Sequence, residues 1–274
     1  MDTKLQVFGG LGFVGSNFVK QYPDVIVNDR NDYTVKSKNI LYLISTISNY
    51  NMLTDPYIDI DSNLTTLMRV LEQCKDKDVT FNFVSSWFVY GDTDMPAHED
   101  SLCKPTGFYS ITKKAAEDLL ICYAKHFKIN YRILRLANVV GAGDPKASLQ
   151  KNALQHLINE IKNNRDIKIY DGGNMYRDYM HVIDVARAIR LLIDSGEINS
   201  IYNVGNGKPI KFKTIIDYAH KITNSTSKLI NIDPPDFHKL VQVHSMFMNT
   251  EKLKKLGYKP LYLMESIVED MIKN

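Results

Sequence analysis

The sequence has little cysteine, no long hydrophobic run and no strong charge of either sign. Its 274 residues include only Cys74, Cys103 and Cys122, whose odd number and spacing indicate neither a disulfide framework nor a zinc site. No apolar run approaches the roughly 20 residues of a membrane span. The net charge of +3 is too small to indicate a nucleic-acid surface. We therefore expect no metal, no membrane and no nucleic acid as partners.

The remaining composition is that of an ordinary globular protein, with 44% hydrophobic and 24% charged residues. A mild positive balance suits an anionic small substrate. The first strand is predicted to begin by Leu5, which leaves no room for a signal peptide. Together with the low cysteine content, this predicts a cytoplasmic location.

A short apolar strand over residues 5–8 leads into a glycine-rich turn and then into a helical pattern. Gly9, Gly12 and Gly15 are spaced three residues apart. Glycine permits a tight turn and lets backbone N–H groups approach a pyrophosphate at the positive N-terminus of the helix. A glycine triplet alone would also fit a plain turn, but the order strand, turn, helix predicts a dinucleotide site.

The second predicted strand, residues 25–28, ends at Asp29. An acidic side chain there can accept hydrogen bonds from the adenosine ribose, which favours NAD as the cofactor. Arg30 keeps NADP possible, because an arginine could pair with a 2′-phosphate. The link from Asp29 to the next apolar strand, residues 40–44, is minimal for a parallel crossover, so we expect adenine-side structure to be missing.

Three side chains in the next part of the chain suggest acid/base chemistry. The strand at residues 79–84 delivers Ser86 to the sheet edge where α/β proteins bind ligands. Tyr109 and Lys113 lie one turn apart on a predicted helix, and an ammonium there would lower the pKa of the phenol from about 10 toward neutrality. The helix is indicated by apolar residues at intervals of three and four: Ile111, Ala115, Leu119, Cys122, Tyr123 and Phe127. Because the chain contains 16 tyrosines, one Tyr–Lys pair at this spacing is expected by chance. The pair indicates a site only together with the glycine turn and Ser86, which precede it in the order that this chemistry requires.

The second half of the chain adds two candidates for phosphate binding. Asn138 follows a buried strand at residues 131–137, and Arg177 could bind a phosphate bidentately, or equally form an internal ion pair with Asp178. The pattern predicts an α/β fold, with a Rossmann-type doubly wound parallel sheet and a smaller C-terminal α/β substrate lobe. We assign the cofactor domain to residues 1–140 and about 182–205, and the lobe to residues 141–181 and 206–274.

Six segments resemble the extended short-chain dehydrogenase/reductases, and more narrowly the NAD-dependent epimerase/dehydratase family acting on nucleotide sugars. The segments are residues 9–15, 84–91, 109–113, 134–138, 177–184 and 202–207. The resemblance implies that the NAD pyrophosphate is cradled by Gly9, Gly12, Phe13, Val14 and Gly15, with Asp29 on the adenosine ribose. It also implies that Tyr109 is the acid/base, that Lys113 binds the nicotinamide ribose and tunes Tyr109, and that Ser86 holds the reacting hydroxyl. Asn138 and Arg177 would face the nucleotide diphosphate.

The resemblance implies a nucleotide-sugar 4-epimerase, working through hydride transfer at C4 and a 4-keto intermediate. The alternative is an NAD(P)H-dependent 4-keto-sugar reductase of a deoxysugar pathway. Trp87 and Phe88 replace the acidic pair of the 4,6-dehydratases, which disfavours that activity, and Trp87 also replaces the cysteine of GDP-fucose synthases. A catalytically idle Rossmann binding protein is a further alternative. Relatives often dimerise through the helix of Tyr109 and its neighbour after Asp59, so we expect a homodimer.

Overall fold

The computed structural model of the protein describes residues 1–144, 148 and 152–273. Residues 145–147 and 149–151 of the predicted lobe lie outside this part of the chain. The first half contains the following elements: β1 (Asp2–Phe8), α1 (Phe13–Gln21), β2 (Ile26–Val27), β3 (Ser37–Tyr42), α2 (Tyr57–Ile60), α3 (Thr66–Cys74), β4 (Thr80–Ser86), α4 (Phe108–Phe127) and β5 (Asn130–Leu136). A turn of π-helix, Asp61–Thr65, joins α2 to α3.

The second half alternates short strands with helices. Its elements are β6 (Asn138–Val140), α5 (Ala153–Lys162), β7 (Ile167–Tyr170), β8 (Tyr176–Arg177), β9 (Tyr179–His181), α6 (Val182–Ser195), β10 (Ser200–Val204), β11 (Ile210–Lys211), α7 (Phe212–Thr223), β12 (Leu229–Ile232), α8 (Asp236–Val241), α9 (Glu251–Lys255) and α10 (Met264–Lys273). Within the described residues, no helix has both the length and the hydropathy that crossing a bilayer requires.

Six strands form one parallel sheet in the order β2-β1-β3-β4-β5-β10. After β1 the chain moves outward to β2, and it then crosses back over β1 to β3. Ligands of such sheets bind at the carboxyl ends of the strands, at the point where the strand order reverses. In this protein that point lies between β1 and β3, so the sheet places a crevice beside the glycine turn.

Apolar clusters cover both faces of the sheet, which confirms the predicted doubly wound α/β fold. On one face, Phe18 of α1 packs with Val185 and Ile189 of α6. On the other face, Leu67 of α3 packs with Leu120 of α4. These residues are all buried, and burying such side chains stabilises the sandwich by roughly 1.5–3 kcal/mol each.

A third hydrophobic cluster lies in the second half of the chain. It joins α5, α7 and α10 through Ile158, Ile216 and Ile267, all fully buried. Two of the smaller sheets pair distant segments, β7 with β12 and β6 with β9, both in parallel. The third pairs β8 with β11 in antiparallel. The boundaries of the substrate lobe stay a prediction.

Helix α4 buries two charged side chains against the rest of the protein. Lys113 and Glu117 are buried together with Ala116, Leu120 and Ala124. The side chains that revealed the helix by their period lie partly on the outside, since Ile111 and Leu119 are exposed. This outer apolar stripe agrees with the predicted homodimer, which stays a prediction.

Candidate active site

The glycine turn forms a tight backbone cradle at the end of β1. Gly9 adopts a φ of +83°, in the left-handed region that favours glycine, and its carbonyl accepts a hydrogen bond from Gly12 N at 3.1 Å. A Cβ on Gly15 would lie 2.2 Å from Gly9 O, so no larger residue fits there. Because α1 begins at Phe13, the first-turn N–H groups lack intrahelical acceptors and face the crevice end of the sheet. This arrangement fits a dinucleotide pyrophosphate.

The adenosine side of the crevice is short. Strand β2 has two residues, pairs only with β1 and forms the edge of the sheet. Asp29 and Arg30 follow it and are both exposed. Residues 28–36 form neither helix nor strand, which confirms the predicted lack of a strand-helix unit between Asp29 and the next strand. Asp29 and Arg30 therefore lie at the correct edge of the sheet, with little structure beyond them.

Ser86 and Tyr109 meet at the carboxyl edge of the sheet. Ser86 is the last residue of β4, and its Oγ accepts a hydrogen bond from Phe88 N at 3.3 Å. Tyr109 lies in the first turn of α4 and is almost wholly buried, and its hydroxyl is near enough to Ser86 and Ser45 for both serines to lower its pKa. The ring of Phe88 packs edge-on against the Tyr109 ring, with centroids 5.8 Å apart. Two of the predicted acid/base residues thus lie side by side at this edge.

Lys113 lies one turn further along α4 and points into the protein. Its Nζ donates a hydrogen bond to Val84 O at 2.7 Å and lies 4.1 Å from the centroid of the Phe83 ring. Burial lowers the pKa of Lys113 to about 7, and Glu117 opposes this shift. Lys113 is therefore divided between its ammonium and its neutral amine near pH 7.

The pKa of Tyr109 differs from the sequence-based expectation and requires a correction. The pKa is raised to about 12: burial is the main cause and the charge of Asp59 adds to it, whereas the Ser86 and Ser45 hydroxyls act in the opposite direction. The predicted lowering by Lys113 does not occur, because the Lys113 amine is desolvated and turned toward Val84 O. Tyr109 is therefore a protonated phenol at neutral pH in this structure, and it is ready to act as an acid.

Replacing Lys113 with methionine should make stability less dependent on pH. The pKa of Lys113 is about 7 in the folded chain and 10.5, the ordinary lysine value, in the unfolded chain, so between these pH values the unfolded chain binds a proton that the native protein does not. Stability of the wild type should therefore rise with pH in this window, by about 2 kcal/mol relative to Lys113→Met between pH 7 and pH 9. Urea unfolding at the two pH values measures the difference.

Lys114→Met is the matched control, because Lys114 is the adjacent residue and forms a solvent-facing pair with Asp118. That variant should follow the wild type at both pH values. If the stability difference between the wild type and Lys113→Met does not change with pH, burial does not lower the pKa of Lys113.

The side chains of Asn138 and Arg177 both donate hydrogen bonds to backbone carbonyls. The side chain of Asn138 donates to Asp178 O at 3.0 Å. Arg177 donates to three carbonyls, those of Tyr176, Val243 and His244, at 2.6–2.9 Å. An arginine has five N–H groups, so two are left for which the described residues provide no acceptor. No Arg177–Asp178 ion pair forms among the described residues; the Asp178 carboxylate instead accepts from the backbone of Asn206 and Gly207.

Arg177 is also connected to the acid/base residues. Its guanidinium lies 5.7 Å from the centroid of the Trp87 ring, and Trp87 follows Ser86 directly. The Trp87 and Phe88 rings stack at 3.9 Å. An aromatic wall therefore separates Tyr109 from Arg177.

Ser45 and Asp59 were missed by the sequence reasoning as site residues. Ser45 follows β3 at the carboxyl edge of the sheet, just as Ser86 ends β4, so the same argument from strand ends could have found it. Asp59 gave no comparable signal. An acidic residue in the first turn of a predicted helix usually faces solvent and interacts favourably with the helix dipole, so its burial is not expected.

A parallel sheet with a glycine cradle at the strand ends is the architecture of a dinucleotide-binding protein. The sequence model of the NAD dependent epimerase/dehydratase family matches residues 40–205. The chain belongs to this family. The predicted family is thereby confirmed, and with it the expected class of cofactor, a nicotinamide dinucleotide.

Relatives within the family carry out several reactions. A putative UDP-glucose 4-epimerase of Methanocaldococcus jannaschii is 26% identical over 93% of this chain and 92% of its own length. A trifunctional UDP-glucose 4,6-dehydratase/UDP-4-keto-6-deoxy-D-glucose 3,5-epimerase/UDP-4-keto-L-rhamnose-reductase of Arabidopsis thaliana is 28% identical over 92% of this chain. The chain spans 44% of the length of that plant protein.

The solved structure of UDP-glucose 4-epimerase from Thermotoga maritima, with UDP-glucose, has the same fold. The TM-score is 0.87 at 20% identity, with 98% of this chain and 97% of that chain covered. This similarity confirms the Rossmann-type architecture.

Proposed function

We propose that the protein is a nucleotide-sugar 4-epimerase that uses NAD. The observation that carries the proposal is that Tyr109 lies beside Ser86, at the sheet edge shared with the glycine cradle. Membership of the family and the similarity to the putative UDP-glucose 4-epimerase support a nucleotide-sugar substrate.

The residues would divide the work as follows. The turn Gly9, Gly12, Phe13, Val14 and Gly15 would hold the cofactor pyrophosphate, with Asp29 and Arg30 at its adenosine end. A bound nicotinamide would supply the hydride acceptor and donor. Ser86 would hold the C4 hydroxyl of the sugar, and Tyr109 would take its proton during oxidation and return it during reduction.

The remaining residues would bind the cofactor and the substrate and would restrict the type of reaction. Lys113, whose amine is one turn from Tyr109, would hold the nicotinamide ribose. Trp87 and Phe88 carry no group that can transfer a proton, which disfavours a dehydration at C5 and C6 of the sugar. Asn138 would bind the nucleotide diphosphate together with the two Arg177 N–H groups that have no acceptor in the described part of the chain.

A one-way 4-keto-sugar reductase is the second candidate, and one observation favours it. The open adenosine side, with the two-residue edge strand β2, offers few contacts to retain a cofactor between turnovers. A reductase must exchange its NAD(P)H in each cycle, whereas an epimerase returns the hydride to the same sugar. Cofactor retention therefore separates the two functions.

The purified protein should contain bound nicotinamide if the epimerase proposal is correct. The test is to denature the protein, quantify the released NAD, and incubate the native protein with UDP-, GDP-, CDP- and dTDP-sugars while recording absorbance at 340 nm. One sugar should reduce the cofactor transiently and be converted to its C4 epimer. Stoichiometric consumption of added NAD(P)H with a 4-keto sugar, without epimerisation, would instead establish the reductase.

A further inference from the structure

A buried side-chain amide, that of Asn49, lies between the ends of two helices. Asn49 is the first residue of a 3₁₀ turn, Asn49–Leu53, which follows β3, and it is 2% exposed. Its Oδ1 accepts a hydrogen bond from Ser110 N at 3.3 Å, and its Nδ2 donates to Val241 O at 3.2 Å. Because one neighbour is a donor and the other an acceptor, only one orientation of the amide satisfies both.

The first of these hydrogen bonds caps helix α4. Ser110 is the third residue of α4, and the N–H groups of a first turn have no acceptor within the helix. An N-cap side chain usually provides that acceptor, but the N-cap of α4 is Gly107, which has no side chain. A Cβ on Gly107 would lie 2.1 Å from Asn49 Oδ1, so the glycine leaves the space that Asn49 occupies. Asn49 therefore replaces the N-cap side chain, at the residue that follows Tyr109.

The second hydrogen bond caps helix α8. Val241 is the last residue of α8, and the carbonyl groups of a last turn have no donor within the helix. The neighbour of Asn49 adds two contacts with the same helix. The Tyr50 hydroxyl is hydrogen-bonded to His238 Nδ1 at 2.7 Å, and the Tyr50 ring packs edge-on against the Phe237 ring, with centroids 5.2 Å apart. The 3₁₀ turn therefore holds α8 at three points.

Arg177 holds the residues that follow α8. Its guanidinium donates to Val243 O at 2.8 Å and to His244 O at 2.6 Å. Residues 236–244, which we call the strap, are thus fixed to the 3₁₀ turn through α8 and to Arg177 through the residues after it. Asn49 connects this strap directly to the start of α4.

We propose that Asn49 is a positioning residue that sets the placement of Tyr109 relative to Arg177 by tying the start of α4 to the strap. The inference rests on the proposed roles of these two residues, proton exchange with the sugar for Tyr109 and binding of the diphosphate for Arg177. One nucleotide sugar must meet both residues at once, so their relative placement has to be constant. A displacement of about 1 Å can lower the rate of a reaction by about 10²-fold.

Hydrogen exchange measured by mass spectrometry tests this tie without any substrate. Asn49→Ala removes both hydrogen bonds, so amide exchange should become about fivefold faster in residues 107–112 and also in the strap. Leu53→Ala is the matched control, because Leu53 ends the same 3₁₀ turn and is 60% exposed. It should leave the exchange of both segments unchanged. Faster exchange of only one segment in Asn49→Ala, or of neither, would overturn the proposal.

Steady-state kinetics should separate the effect on the strap from the effect on α4. Tyr50→Phe removes the hydrogen bond to His238 and leaves the cap of α4 intact, so KM for the nucleotide sugar should rise about threefold with kcat unchanged. Asn49→Ala should raise KM similarly and also lower kcat about tenfold, because α4 loses its cap beside Tyr109. A wild-type kcat in folded Asn49→Ala would show that Asn49 does not position Tyr109.

The wild-type protein provides the test if Asn49→Ala does not fold. The Ser110 amide, observed by nuclear magnetic resonance, should exchange at least about tenfold more slowly than an unprotected amide, because its N–H is bonded to Asn49. An unprotected Ser110 amide would mean that Asn49 does not cap α4, and the proposal would be wrong.

Because the exchange experiment uses no sugar, its result is independent of the proposed function. Faster exchange of both segments in Asn49→Ala would establish the tie even in a protein that epimerises no nucleotide sugar, and only the epimerase proposal would then be rejected. Unchanged exchange in a protein that does epimerise a nucleotide sugar would reject the role of Asn49 alone.

Discussion

Tyr109→Phe should lower kcat/KM by about 10³-fold, because the variant removes the buried hydroxyl that lies near both Ser86 and Ser45. General acid/base catalysis contributes about 10²–10⁴-fold in enzymes, and phenylalanine cannot exchange a proton. The fold should survive, since Tyr109 is buried and phenylalanine keeps the packing against the Phe88 ring. The measurement is steady-state turnover of the nucleotide sugar identified in the panel, with circular dichroism to check the fold.

Tyr123→Phe provides the control for this experiment. Tyr123 is on the same helix, four turns from Tyr109, and its ring packs on Phe127 away from the site. It should retain wild-type activity. Cofactor content should be unchanged in Tyr109→Phe, because the glycine turn is untouched. Full activity in Tyr109→Phe would show that another group moves the proton, and the assignment of the site would be wrong.

The raised pKa of Tyr109 and the low pKa of Lys113 share one physical cause. Both groups are almost wholly buried, and burial penalises the charged form of each: phenolate for the tyrosine, ammonium for the lysine. The pair therefore rests as a phenol beside a lysine that is only partly charged near pH 7. The sequence spacing predicts that the two side chains are neighbours on a helix, but it carries no information on how dry their surroundings are.

The architecture of the sheet could be predicted because its signals are local. The apolar runs around β1, β4 and β5, and the glycine turn, identify parallel strands by composition and order alone. The missing unit after Asp29 also follows from a simple length argument, because the link is too short for the usual crossover.

The parts that escaped prediction depend on distant partners. Strand β12 is stabilised by β7, and the two segments are separated by α6 and α7 along the chain. Asp59 depends on Thr46 and Asn51, from two other segments. Nothing in the residues near Asp59 indicates that its carboxylate is buried, because the contacts that bury it are formed only by the folded chain.

The inward face of α4 is the clearest example of a feature that depends on distant partners. Lys113 and Glu117 would be assigned to the solvent by any amphipathic pattern, yet both are buried. Glu117 is compensated by Arg135 of β5, which bonds both of its oxygens at 3.1 and 2.7 Å. The fixed fork of an arginine matches a carboxylate in this geometry, so the pair holds α4 against the sheet.

Glu117→Gln should destabilise the protein by about 3–5 kcal/mol and lower Tm by about 10 °C. The two side chains of the pair are 1% and 3% exposed, so the variant leaves the Arg135 guanidinium charged and buried. Its remaining contacts, the carbonyl of Glu99 and the face of the Tyr90 ring, carry no full negative charge. Thermal and urea unfolding of the variant measure the loss.

Two further variants separate the charge from the packing. Asp118→Asn changes the adjacent residue, which is 62% exposed and pairs with Lys114, and it should shift stability by no more than about 0.5 kcal/mol. The double variant Glu117→Leu with Arg135→Met removes both charges and keeps much of the volume, so it should recover most of the stability. If Glu117→Gln is as stable as the wild type, the buried pair does not hold α4 to β5. If Glu117→Gln is destabilised as expected but the double variant is no more stable than Glu117→Gln, the loss comes from packing and hydrogen bonds rather than from an uncompensated charge.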